Sequence, residues 1–161
     1  MRRAKMETPD KRWAAAHRPH AYRELGHPAD IFLEVYGRDL PSLFENALFA
    51  LYDQLAQLEE FETTSKRQIV AKGPSVSEAL RALLAEALYL FETQAFIAAH
   101  ATVQVESKPE GEVDVVADLK GDILSRERHT VLSEVKAVTY HQLKAEQLPD
   151  GDWRATVLFD V

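Results

Sequence analysis

The sequence predicts an α+β domain, with two helices packed on an antiparallel or mixed β-sheet. Three observations predict it. Two segments, Leu43 to Leu55 and Leu80 to Phe91, repeat apolar residues at helical spacing. Several shorter stretches alternate apolar and polar residues, as half-buried strands do. Turn-forming clusters at Gly73-Pro74, Pro109-Glu110-Gly111 and Pro149-Asp150-Gly151-Asp152 separate them, and strands and helices alternate until the chain turns to strands alone after His100.

In chain order, Ala21 to Glu24 reads as a short strand. Ile31 to Tyr36 sets Ile31, Leu33 and Val35 on one face, and Gly37 ends it. Asp39 can cap the first helix, with Pro41 tolerated in its first turn. Residues 61–71 resume alternation. Ser75-Val-Ser-Glu78 has capping-box spacing and predicts a second helix running to about Ala98. Strands are expected at Thr102 to Glu106 and at Glu112 to Lys120, with Val113, Val115 (or Val116) and Leu119 inward and Gly121-Asp122 as a break. Val131 to Gln147 reads as one long strand with a bend, and Trp153 to Phe159 as its hairpin partner.

Composition narrows the function. The chain has 161 residues, enough for one domain with a substantial core. It has no cysteine, which excludes disulfides, thiolate catalysis and cysteine-held metal clusters. No apolar run approaches the roughly 18–20 residues of a membrane helix, and the N-terminus lacks the apolar core of a secretory signal, so a cytoplasmic location is expected. Residues 1–21 hold six basic and two acidic residues, about +4, while the whole chain is −7, so residues 22–161 carry −11. An acidic body disfavours nonspecific phosphate-backbone binding and suits a cation or a basic partner surface. Residues 1–20 lack hydrophobic periodicity and are expected to be a flexible basic extension of a domain spanning 21–161.

No phosphate-binding glycine loop, dinucleotide fingerprint, nucleophile elbow or His-Glu-x-x-His zinc helix is present. The polar residues left for chemistry sit at predicted strand ends: His27 and Asp30 in Gly26-His-Pro-Ala-Asp30, Lys136 and His141 in the late strand, and Asp160 with Val161. An Asp-Val ending offers the Asp160 side chain and an α-carboxylate, both hard oxygen donors of the kind Ca²⁺ and Mg²⁺ prefer. Each residue also has a plainer reading. Asp30 can be a turn aspartate bonded to its own backbone, His27 a loop histidine, Lys136 a solvent-face lysine, His141 a satisfied sheet histidine, and Asp160 a frayed end. Asp30 and Asp160 matter together only if the fold brings them together.

The segments Gly26-His-Pro-Ala-Asp-Ile31, Val35-Tyr-Gly37, Leu43-Phe-Glu-Asn-Ala47, Glu134-Val-Lys-Ala-Val-Thr-Tyr-His141 and Trp153-Arg-Ala to Phe159-Asp-Val161 resemble the archease family, over about residues 20–161. The resemblance implies a non-enzymatic protein cofactor of an RtcB-type RNA ligase in tRNA splicing and RNA repair, promoting guanylylation and multiple turnover of the ligase. RNA would be met only through the ligase, and no membrane is involved. Family metal ligands match Asp30, Asp160 and the Val161 carboxylate, with Ca²⁺ expected and Mg²⁺ or Mn²⁺ as alternatives; the family's functional lysine matches Lys136. His27 and His141 are expected near the partner or a phosphate. The family commonly has His-Thr-Ala-Asp where this chain has His27-Pro28-Ala29-Asp30, which removes a hydroxyl and an N–H beside Asp30. A metal-dependent phosphoester hydrolase using the same carboxylates, or a general chaperone or interaction module, are the competing readings.

Overall fold

The computed structural model describes Trp13, Arg18, residues 20–26 and residues 30–161. The rest of the expected extension, and His27, Pro28 and Ala29 of the loop before Asp30, lie outside the described residues.

The strands are β1 (Tyr22–Leu25), β2 (Ile31–Gly37), β3 (Ser65–Gly73), β4 (Phe96–Ser107), β5 (Val113–Ile123), β6 (Ala137–Val138), β7 (Lys144–Gln147) and β8 (Trp153–Asp160); the helices are α1 (Leu40–Leu55) and α2 (Val76–Gln94). They build two sheets rather than one. Five strands run in the order β1-β2-β8-β6, with β7 also paired to β8, and three run β3-β5-β4. Every pairing in both is antiparallel. α1 lies on β2 of the first sheet and β4 of the second, and α2 lies on β3. The apolar stripes of both helices face the core: Leu43, Phe44, Ala47, Leu48 and Leu51 on α1, and Leu80, Leu83, Leu84 and Ala87 on α2, expose 1 % or less, while Phe91 near the end of α2 is partly buried.

The helix starts follow the sequence chemistry. Asp39 Oδ1 accepts from the Ser42 N–H at 2.9 Å while Ser42 Oγ accepts from the Asp39 N–H at 3.1 Å, a full reciprocal box with Pro41 in the first turn. At α2, Ser75 Oγ accepts from the Glu78 N–H at 3.3 Å, and the Glu78 carboxylate accepts the Ser75 hydroxyl, not the Ser75 N–H. A side-chain cap of this kind is worth about 1 kcal/mol.

Three expectations need correction. α2 stops at Gln94, not near Ala98; Ala95 turns left-handed (φ 56°) and β4 begins at once. Phe96 to Ala101 are all buried, so the run carries no alternation that could distinguish a strand from more helix. β5 does not break at Gly121-Asp122 but continues to Ile123, because Gly121 is where β4 comes closest: a Cβ there would lie 1.9 Å from the Ile97 carbonyl oxygen. The long strand expected over Val131 to Gln147 is two short ones, β6 and β7, separated by a turn in which Gln142 adopts φ 55°.

The segment before β6 is docked rather than extended. The Leu132 N–H donates to Leu55 O at 2.9 Å, the Gln57 N–H to Thr130 O at 3.1 Å, and Glu60 accepts from both the N–H and the hydroxyl of Thr130. His129 is the peg: its ring stacks on Phe61 at 3.8 Å and its Nδ1 accepts from the Ser125 N–H at 2.9 Å, which fixes the neutral tautomer with the proton on Nε2. The domain also reaches back before residue 20. Trp13 is 2 % exposed, its N–H donates to Ala99 O, and Arg18 pairs with Glu45 at 3.2 Å and Asn46 at 2.7 Å.

Candidate functional site

The site is built by the end of β8. The β2–β8 ladder pairs Phe32 with Leu158 and, at its last rung, Ile31 with Phe159. Phe159 is fully buried, which pins the register: a one-residue slip would put it on the outer face. Asp30, the bend residue before β2, and Asp160, the last residue of β8, each lie one residue beyond that rung, at the same end of the sheet. On the other edge of β8, Ala137 pairs with Asp160 and the Lys136 N–H donates to Asp160 O at 2.7 Å. Asp160 therefore sits between the start of β2 and the start of β6.

Of the residues singled out from sequence, Asp30, Lys136, Asp160 and Val161 meet at this end. Asp30 is half-buried; Lys136 and Asp160 are exposed, as is Val161 at 44 %. The Lys136 side chain has no ion pair among the described residues. His141 is set apart from them. It is exposed in the turn after β6, its N–H donating to Thr139 Oγ1 at 3.1 Å, and the flanking bonds, Thr139 N–H to Leu158 O and Thr156 hydroxyl to Gln142 O, place this turn two to four residues back along β8. At strand rise that is roughly 7–13 Å from Asp160. His27 lies outside the described residues.

The donor set suits a hard cation only in part. Among the described residues no three His, Cys, Asp or Glu side chains are grouped to hold a metal ion. The site offers two carboxylates from opposite strands and the main-chain oxygen of Val161, so water or a partner's oxygens would have to complete a shell of six to eight. That is the composition of an open site.

The outer face of the same sheet carries a charge ladder beside it. Glu34 accepts from the Tyr36 hydroxyl at 2.6 Å and from Arg23 Nε at 2.9 Å, and Arg154 bridges from Glu34 to Glu146, its NH2 2.6 Å from the Glu146 carboxylate. The Tyr36 hydrogen bond first, then Arg23, holds the Glu34 carboxyl below its ordinary value of 4.5. A carboxyl lowered by folding stabilises the fold above its ordinary pKa, and that stability fades as pH falls through the lowered value. Glu34→Gln should therefore flatten the loss of Tm on acidification below about pH 4.5 relative to the unaltered chain; thermal melts across pH 3–6 read this, and parallel curves would refute it.

Sequence reasoning passed over Arg81 and Tyr140. Arg81 lies beside the buried stripe of α2, yet its Nε donates to Val138 O at 3.0 Å, its NH1 to the Tyr140 hydroxyl at 3.0 Å, and its guanidinium sits 3.8 Å over the Tyr140 ring. An arginine at the margin of an apolar stripe is the one local signal that could have drawn attention.

Comparison with known proteins comes to the same place. The chain matches the model of the Archease protein family (MTH1598/TM1083) over residues 22–161. It is similar to the protein archease of Archaeoglobus fulgidus, 37 % identical over 141 residues, covering 87 % of this chain and 98 % of that protein. The protein archease of Methanosarcina acetivorans is 34 % identical over 140 residues, 87 % and 95 % of the two chains. Its fold is like the solution structure of Methanobacterium thermoautotrophicum protein 1598, with TM-score 0.74 and 25 % identity over 88 % of this chain and 99 % of that one.

Proposed function

The chain belongs to the archease family, and on that premise we propose that it is a protein cofactor in tRNA processing, activating an RtcB-type RNA ligase. In this reading it promotes guanylylation and repeated turnover of the ligase and has no reaction of its own. Asp30, Asp160 and a Val161 carboxyl oxygen hold a divalent cation, Ca²⁺ or its smaller relatives Mg²⁺ and Mn²⁺, and Lys136 meets a phosphate or an acidic side chain of the partner. RNA is reached only through the ligase.

The observation that supports the reading is the Ile31–Phe159 rung, which brings Asp30 and Asp160 to one end of the sheet, with Lys136 tied by its own N–H to the Asp160 carbonyl. Carboxylates brought to one cation repel each other, and the shared cation removes that repulsion. The cation would supply a fixed positive charge on an open coordination sphere. The chain's own residues do the rest: the Ile31–Phe159 rung brings the two aspartates to one end of the sheet, and Lys136 adds a strongly hydrated point charge there. His141, two to four residues back along β8, reaches a partner outside the cation's first shell.

A guanylylation time course of a cognate ligase tests this. The unaltered chain should accelerate it. Loss of even a ligand's supporting hydrogen bond costs about 10–100-fold in metal affinity, so Asp30→Asn and Asp160→Asn should each cut the stimulation at least about tenfold while melting normally. Full stimulation by both variants would refute the site. Phosphoester turnover by the purified chain alone would favour the hydrolase reading instead.

A further inference from the structure

Tyr140 is the most exposed large apolar side chain among the described residues, at 64 %, and it is held still. Arg81 reaches from α2, stacks 3.8 Å over the ring, and bonds the hydroxyl at 3.0 Å. The same guanidinium bonds Val138 O at 3.0 Å, and Val138 pairs with Phe159 one rung from the Ala137–Asp160 pair. The platform is thus continuous with the candidate cation site through two residues of β6. Arg81 has no carboxylate partner among the described residues, although residues 22–161 carry a charge of −11.

We propose that Arg81 and Tyr140 are the anchor by which this domain docks its protein partner: the tyrosine ring packs against an apolar surface and the free edge of the Arg81 guanidinium takes a carboxylate of that partner. Tyrosine and arginine are the side chains most often found to dominate binding at interfaces. A ring already fixed by a stacked guanidinium loses little freedom on docking, so its burial is converted efficiently into affinity. The unpaired cation answers the question of register, since in an acidic body it is the local group that attracts an acidic residue and repels a basic one. The inference rests on the ligase reading above and adds a division of labour. Arg81 and Tyr140 set how tightly the partner is held; the Asp30–Asp160 end sets what happens once it is held.

The experiment measures both quantities with full-length chains: direct binding of labelled protein to the cognate ligase, and ligase guanylylation as a function of cofactor concentration. Tyr140→Ala should weaken binding, and raise the concentration for half-maximal stimulation, at least about tenfold, with the maximum unchanged. Tyr140→Phe, which keeps the ring, should stay near the unaltered chain. Asp160→Asn should do the opposite, lowering the maximum with little change in binding. Tyr140→Ala leaves the Arg81–Val138 bond in place, and a matching melt shows that the fold is kept. Binding that is Tyr140-dependent without any stimulation would uphold the docking surface and sink the ligase-activator reading. Unchanged binding by Tyr140→Ala, no binding by the unaltered chain, or Tyr140-dependent capture of single-stranded RNA by the chain alone would each overturn the docking proposal, the last by making the platform a base-stacking site.

Discussion

Trp13→Ala should lower the stability of the full-length chain by about 3–5 kcal/mol, the usual cost of removing a large buried ring. Trp13 belongs by sequence to a basic stretch without periodicity, but it is 2 % exposed and stands edge-on to Phe49 at 5.6 Å and tilted on Tyr52 at 6.4 Å. Arg18 lies over both Trp13 and Phe49, and the Trp13 N–H caps Ala99 O at the bulge in β4. Removal of the indole opens a hole between α1 and the edge of the three-stranded sheet, while the main-chain N–H at position 13 can still reach Ala99 O. For a domain of this size the loss corresponds to a Tm drop on the order of 10 °C. Thermal melts of Trp13→Ala and Trp13→Phe, the second retaining a ring, give the answer. Equal Tm for the alanine variant and the unaltered chain would show that residues before 20 are no part of the domain.

Gly121→Ala should be as damaging by an unrelated cause. The added methyl would lie 1.9 Å from the Ile97 carbonyl oxygen and 2.8 Å from Ala98 Cα, both main-chain atoms that cannot swing aside. β4 and β5 would have to part near one end of their pairing, where Ala98 faces Gly121 and Ala99 is squeezed out as the bulge. The cost should exceed the ~1–3 kcal/mol of ordinary overpacking, and the altered chain should accumulate poorly or melt far below the parent. A soluble Gly121→Ala protein with parental Tm would mean that β4 and β5 do not approach as described.

These two positions also mark where sequence stops being legible. β2, the start of α1, the start of α2 and the β7–β8 hairpin could be read because each announces itself locally: an alternation of two, an Asp39–Ser42 or Ser75–Glu78 cap, a Pro149-Asp150-Gly151-Asp152 turn. What depends on distant neighbours could not. The end of α2 was hidden because β4 opens with six consecutive buried residues. Gly121 looked like a stop when it is a clearance for the neighbouring strand. The stretch before β6 is held by Phe61, Glu60 and Leu55, roughly seventy residues earlier, and no local pattern records that. Division into two sheets is likewise a matter of long-range pairing. For the site, residue types and resemblance picked out Asp30, Lys136, Asp160 and Val161, but it is the Ile31–Phe159 rung that brings them to the same end of the sheet, which spacing along the chain cannot reveal. His141 was grouped with them through its place in a shared string, and the turn at Gln142 carries it away.

The most direct measurement is a calorimetric titration of the purified chain with Ca²⁺, and with Mn²⁺ as a second probe, set beside the same titration of Asp160→Asn. Saturable one-to-one binding by the unaltered chain, weakened at least about tenfold in the variant, is the expected result. Equal affinity in both proteins, or no binding to either ion by the unaltered chain, would contradict a cation shared by Asp30 and Asp160 at one end of the β2–β8 ladder.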